Sequence, residues 1–364
     1  MKFPFPLLIS FLMLSILTLC RTTIRIEEEL NNRIMDPMID SKEIPVYIIT
    51  NRKAENTTQD CSNNYFKNQP ETLRWLICFV NVPKNHSIGA LDTAKNESLD
   101  KDTYYFAKNF TELEEKNFYD TIVREKEILV FVHGFNVEFE EALFRAAQIK
   151  YDLKFQGIVV LFTWPAGSEK NGLFSNLLIN ETYRTNQKNA KNTIPHFKEF
   201  LRKLIEKKSK NTKLYLIVHS MGHQIVIPSL VELSAFLENR KFEELIFNAP
   251  DYSIPQWKTE EKLIKKTAKR ITMYCSPKDN ALLASEKVNG EKRLGQCYKT
   301  EGIDVINVNR IDSPILGIGG LGHGYYSKKD ILTDLYQLFL GMDAKKRLFI
   351  IKSNQSTEDY ILRD

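Results

Sequence analysis

The chain has 364 residues, 43% of them hydrophobic and 27% charged. These proportions fit a globular protein and exclude wholesale disorder. The formal net charge is +5, or +4 without residues 1–20, where Lys2 is the only charge, and so small an excess speaks against a nucleic-acid binder.

Phe3 to Leu19 is almost wholly apolar, with Lys2 before it and Arg21 and Arg25 after it. It reads as a secretory signal or an uncleaved membrane anchor, covers residues 1–24 and stays outside the fold. Its end, Leu17-Thr18-Leu19-Cys20, has the form of a bacterial lipobox except that Leu19 stands where a small residue belongs. Cleavage, retention and lipidation at Cys20 therefore all stay open, and each expects export to, or anchoring in, the periplasmic side of a bacterial envelope. A polar linker at 25–43 leads to a domain expected over 44–345, followed by a C-terminal tail at 346–364 that is expected to fray after Lys352.

Ile44 to Thr50 and Leu73 to Val82 are rich in β-branched and aromatic residues and predict an antiparallel strand pair, separated by the polar segment Asn51 to Thr72. A long charged stretch follows from Asn85 to Glu127, anchored by Tyr104, Tyr105 and Phe106. From there the pattern is regular. Buried-type strands are expected at Ile128–Val132, Gly157–Trp164, Lys213–Val218, Leu245–Asn248, Ile271–Cys275 and Val305–Val308, with amphipathic helices at Glu138–Lys150 and Asn192–Lys207. This alternation implies an α/β fold, a mostly parallel sheet with helices on both faces and its ligand site outside the carboxyl ends of the strands. Residues 165–191 break the rhythm with Asn, Gly and Ser around Leu173, Phe174, Leu177 and Leu178, as a lid or a surface insertion would. The basic run from Arg202 to Lys213 falls where a helix should end, a favourable place for lysines.

Four cysteines lie beyond the leader: Cys61, Cys78, Cys275 and Cys297. In an exported protein they permit two disulfides, the local pairs being the simplest of three connectivities, and four separate buried thiols are the alternative. No spacing suits a metal site, and nothing calls for a cofactor.

The chemistry is carried by three strand ends. Lys213 to Val218 runs into His219-Ser220-Met221-Gly222, with a helix from about Gln224. A serine on so tight a strand-to-helix turn projects its hydroxyl above the sheet, as a nucleophile elbow requires. A hydroxyl is a weak nucleophile until a base accepts its proton and a third group orients that base. Asp279, in Ser276-Pro277-Lys278-Asp279 after the strand at 271–275, is the expected acid, with Asp251 after Asn248-Ala249-Pro250 as the alternative. His323, in Leu321-Gly322-His323-Gly324, is the expected base. The strand at 128–132 ends in His133-Gly134-Phe135-Asn136, which offers the Phe135 N–H, beside that of Met221, to an oxyanion. His133 and His219 read as structural, and Trp164 as a pocket wall or core residue.

Together with Thr50-Asn51-Arg52, Ala146-Ala147-Gln148, Phe162-Thr163-Trp164-Pro165, Asn280-Ala281-Leu282 and Arg293-Leu294-Gly295, these strings resemble a bacterial family of α/β-hydrolases of unknown function in the lipase and esterase superfamily. The likeness spans about Ile44 to Leu340 and departs at Val218, where hydrolase elbows commonly have glycine and this family alanine. It implies the triad Ser220, Asp279 and His323 and brings no substrate with it. The expectation is a serine hydrolase acting on a small-molecule or lipid ester, with no cofactor or nucleic acid. An acyltransferase using the same triad, or a catalytically silent fold serving as an envelope binding or scaffold protein, are the alternatives.

Overall fold

The computed structural model of the protein describes residues 30, 33, 40–55, 59–93, 100–168, 179–311 and 323–363. The apolar leader with Cys20, and the group Leu173 to Leu178 in the expected lid, lie outside them. In chain order the strands and helices are β1 (Lys42–Ala54), β2 (Phe66–Val82), β3 (Phe106–Leu113), α1 (Glu115–Ile122), β4 (Glu127–Val132), α2 (Phe139–Asp152), β5 (Ile158–Thr163) and α3 (Ile179–Lys207). They continue with β6 (Lys213–His219), α4 (His223–Glu232), α5 (Ser234–Leu237), β7 (Phe242–Asn248), α6 (Ile254–Thr267), β8 (Ala268–Cys275), α7 (Asn280–Asn289), β9 (Asp304–Asn307), α8 (Lys329–Phe339), β10 (Ile350–Lys352) and β11 (Tyr360–Leu362).

The strands form one eleven-stranded sheet in the order β10-β11-β9-β8-β7-β6-β4-β5-β1-β2-β3. From β1 to β11 every neighbouring pair is parallel. The antiparallel pairs sit at the margins, β1 with β2 and β2 with β3 on one side and β10 with β11 on the other. Alternation along the central strands explains the layering, because successive side chains point to opposite faces. Ile128, Val130 and Val132 of β4 join Leu214, Leu216 and Val218 of β6 beneath α1, α3, α4 and α6, where Phe118, Phe200, Ile225 and Trp257 meet them. Leu129, Phe131, Tyr215 and Ile217 face the other way, against Phe139 and Leu143 of α2 and Leu335 and Phe339 of α8. Val218 thus packs as an ordinary core residue.

The structure extends the sequence reading in four places. β1 continues through Asn51 and Arg52 to Ala54, a polar stretch made tolerable by internal satisfaction of the Arg52 guanidinium, which donates to Thr163 Oγ1 (3.0 Å), Ala166 O (2.9 Å), Val137 O (2.7 Å) and Asn68 Oδ1. The charged stretch contains β3 and α1. β3 is an edge strand with one partner, none of its side chains fully buried and three of the eight exposed, so its alternation carries little apolar signal. α3 begins at Ile179 rather than near Asn192, because its asparagines face protein: Asn189 donates to Pro165 O (2.9 Å) and Asn186 to Gly167 O (3.0 Å). The tail is not frayed. β11 inserts between β9 and β10 and buries Leu362.

Both local disulfides form, Cys61 with Cys78 and Cys275 with Cys297. Among the described residues no helix is long and apolar enough to cross a membrane, and no group of His, Cys, Asp or Glu could hold a metal ion.

Candidate active site

The residues singled out in the sequence lie off the carboxyl ends of the parallel strands. β6 leads directly into a 3-10 turn at Ser220–Gly222 and then α4. Ser220 sits at φ +51°, a left-handed conformation that costs a non-glycine residue about 1–2 kcal/mol. Surrounding contacts hold it there. The Ser220 carbonyl accepts from His223 Nδ1 at 2.8 Å and from the Asp251 N–H at 3.3 Å. Burial pushes His223 down to about 3, so the ring is neutral, and its acceptor places the proton on Nδ1.

Two glycines admit this turn. A Cβ on Gly222 would stand 2.6 Å from His133 O. One on Gly134 would stand 2.7 Å from Ser220 Cβ and 2.8 Å from His219 Nδ1. The loop after β4 therefore lies directly against the serine, with Phe135 in the wall of the cavity at Ser220 and Met221 next in the chain. Asn186 of α3 fastens this loop, its Oδ1 accepting the N–H of Asn136 (3.1 Å) and of Gly167 (3.1 Å).

A buried polar chain supports the loop from behind. Arg52 Nε donates to Thr163 Oγ1, whose hydroxyl lies 2.9 Å from His133 Nε2, and His133 Nδ1 donates to Gly134 O at 3.0 Å. Trp164 stacks on the His133 ring at 5.4 Å and donates its indole N–H to His133 O at 3.0 Å. Burial, then the nearby Arg52 charge, holds His133 well below the usual histidine range. Burial pushes Arg52 down to about 9, which leaves it charged near neutrality.

Asp279 begins α7. Its Oδ1 accepts the N–H groups of Ala281 (3.0 Å) and Leu282 (3.1 Å), a helix cap. Its Oδ2 lies 2.6 Å from His323 Nδ1. Asp279 is wholly buried, and His323 and Ser220 are nearly so. The His323 ring also packs 4.8 Å from His219, which stacks on Tyr326. Burial first, then the neighbouring His323, keeps His219 well below the usual range, hence neutral.

Asp251 is placed differently. Its Oδ1 accepts from Arg293 Nε (2.7 Å) and Ser285 Oγ (2.6 Å), and its Oδ2 from Tyr183 OH (2.8 Å) and Gln224 Nε2 (3.3 Å). Those four donors occupy it, and the structure sets Asp279, not Asp251, against His323. Arg293 arrives on a segment whose Gly295 packs so closely on Ala249 and Pro250 that a Cβ there would come within 2.7 Å of both. Gly295 also ties that segment to the turn that carries Asp279, its carbonyl accepting the Ser276 N–H at 2.9 Å.

Ser220 and His323 line one small cavity of about 40 Å³ together with Phe135, Asp251 and side chains of α3 and α7. A larger cavity of about 710 Å³, near Asp60, Asn63, Glu140 and Arg145, holds none of them. Chemically, the arrangement offers a hydroxyl, an imidazole oriented by a carboxylate, and a tight loop against the serine.

The family of alpha/beta hydrolases of unknown function designated DUF900 matches residues 111–340. The chain belongs to that family. The matched span runs from the end of β3 to the end of α8 and contains Ser220, Asp279 and His323, leaving β1, β2, β10 and β11 outside. No curated protein matches the chain. Among solved structures, an arylesterase aligns at 8% identity and a TM-score of 0.27, over 78% of this chain and 81% of that one. A likeness so weak carries no argument about activity. For this DUF900 member the sequence left Tyr183, Ser285 and Arg293 without a role at the site. The Arg293-Leu294-Gly295 string was visible, but its pairing with Asp251 needs the fold.

Proposed function

We propose that this hydrolase cleaves carboxylic esters through an acyl-enzyme on Ser220. The observation that carries the proposal is the 2.6 Å contact of Asp279 with His323, in a cavity that His323 shares with the strained Ser220. Asp279 holds the proton of the neutral imidazole on Nδ1, which leaves Nε2 as base. As Ser220 Oγ attacks the ester carbonyl, its proton passes to Nε2 and the N–H groups of Phe135 and Met221 receive the oxyanion. His323 then protonates the departing alkoxide, which leaves as the alcohol. Water repeats the sequence on the acyl-enzyme, giving the acid and free Ser220. An alcohol in place of water would make the protein an acyltransferase with the same groups.

Two disulfides support a working place in an oxidising compartment. They favour export, with the apolar leader as signal or anchor, and thus a substrate met in the cell envelope.

The test is steady-state hydrolysis of 4-nitrophenyl acetate by the wild type, Ser220→Ala and His323→Ala. Each substitution is expected to lower kcat/KM by about 10⁴-fold or more, with no additive loss in the double variant. Turnover that survives both substitutions would remove the proposal, and absence of turnover in folded wild type would favour a silent binding protein.

A further inference from the structure

The cavity at Ser220 carries information about the substrate, given the serine-hydrolase reading above. Its walls include Phe135, Ala281, Leu282, Ala284 and Val288, together with Tyr183, Ser285 and Asn180. A space of about 40 Å³ seats roughly three heavy atoms at about 10–15 Å³ each, the size of an acetyl group.

The polar atoms of Tyr183, Ser285 and Asp251 in the wall are already engaged. Tyr183 OH donates to Asp251 Oδ2 (2.8 Å), lies 2.9 Å from Ser285 Oγ and accepts from Asn289 Nδ2 (3.0 Å). Burial and the Asp251 charge push the Tyr183 phenol well up, so it stays neutral. The Asp251 charge is met by Arg293 at 2.7 Å. Among the described residues the cavity therefore presents mainly apolar surface, with the exposed Asn180 amide also in its wall.

It is also braced against widening. The same bonds tie α3 to α7, reinforced by Gln187 donating to Asn289 Oδ1 at 3.0 Å, and the Tyr183 ring packs 5.7 Å from Phe135. The part of an ester that stays on the enzyme after the alcohol departs is the acyl group, and a small, largely apolar cavity at the serine suits the part that stays.

We propose that the enzyme is selective for short uncharged acyl groups, acetyl above all, with Val288 and Ala284 of α7 setting the limit. Deacetylation of an envelope ester is the reaction class this implies.

The experiment measures kcat/KM of the full-length protein for 4-nitrophenyl acetate, butyrate and octanoate, beside Val288→Ala and Ala284→Val. Acetate should exceed octanoate by about 100-fold, Val288→Ala should raise butyrate relative to acetate by about tenfold, and Ala284→Val should lower acetate turnover by a similar factor. Octanoate cleaved as fast as acetate, or a chain-length profile unmoved by Val288→Ala, overturns the proposal while leaving the serine reading intact. Phosphonylation of Ser220 by a small fluorophosphonate without cleavage of any ester in the series overturns it in the same way. Neither phosphonylation nor cleavage in folded protein removes both.

Discussion

Asp279→Asn separates the two carboxylates that compete for the role of acid. Asp279 Oδ1 accepts two helix N–H groups and Oδ2 faces His323 Nδ1 at 2.6 Å. An asparagine keeps its carbonyl oxygen on the helix, where it is as good a cap as aspartate, and so presents its NH2 to the histidine. The imidazole must then accept at Nδ1 and carry its proton on Nε2, where it cannot take one from Ser220. The expected loss is about 10⁴-fold in kcat/KM, or roughly 5.5 kcal/mol of transition-state stabilisation, while stability changes by less than about 1 kcal/mol. Asp251→Asn reverses the pattern. It leaves Arg293 as an uncompensated buried charge and costs about 3–5 kcal/mol of stability, with the smaller share of the loss in catalysis. The assay is kcat/KM for 4-nitrophenyl acetate together with a urea midpoint for each variant. An Asp279→Asn enzyme within tenfold of wild type, or a folded Asp251→Asn enzyme with the larger catalytic defect, refutes the assignment.

Gly134→Ala would bring a methyl to 2.7 Å from Ser220 Cβ; displacement of the Phe135 N–H should cost about 10²–10³ in kcat, read at saturating acetate. Replacing Cys275 and Cys297 by serine opens a 22-residue loop and should remove about 3 kcal/mol of stability, measured by urea denaturation against the wild type. His223, held at about 3 when folded against about 6.5 unfolded, contributes stability that is present above pH 6.5. That contribution is lost as the pH falls from there towards 3, because the unfolded chain takes the proton first, at up to about 1.4 kcal/mol per pH unit. His223→Asn should flatten the dependence of stability on pH across that window relative to wild type, and an unchanged slope would contradict the burial of a neutral ring.

Much of the fold was legible because the central strands are buried on both faces. Ile128 to Val132 and Leu214 to Val218 are continuous apolar runs, and such runs bounded by helices leave few alternatives to a parallel sheet. The margins were harder for physical reasons. β3 is an edge strand whose charges, Lys108 and Glu112, pair at the surface with Glu43 and Arg74, β11 is three residues stitched between two others, and Arg52 hides a charge inside a strand by bonding it internally. At the site, Ser220 could be read because strand, turn and helix are contiguous in the chain. Asp279 could be separated from Asp251 only by placement: both follow strands, but Arg293, Ser285, Tyr183 and Gln224 converge on Asp251 from distant segments. Tyr183 belongs to a stretch whose polarity suggested a lid, and its helical character depends on asparagines that bond the loop beneath them.

The most direct test of an activated Ser220 is covalent labelling by a fluorophosphonate carrying only methyl and ethoxy groups, followed by mass analysis of the modified peptide. The account predicts stoichiometric adduct on Ser220 in the wild type, none in Ser220→Ala and a severely slowed reaction in His323→Ala. A folded wild type that takes up no label, or an adduct that forms equally fast without His323, would contradict it.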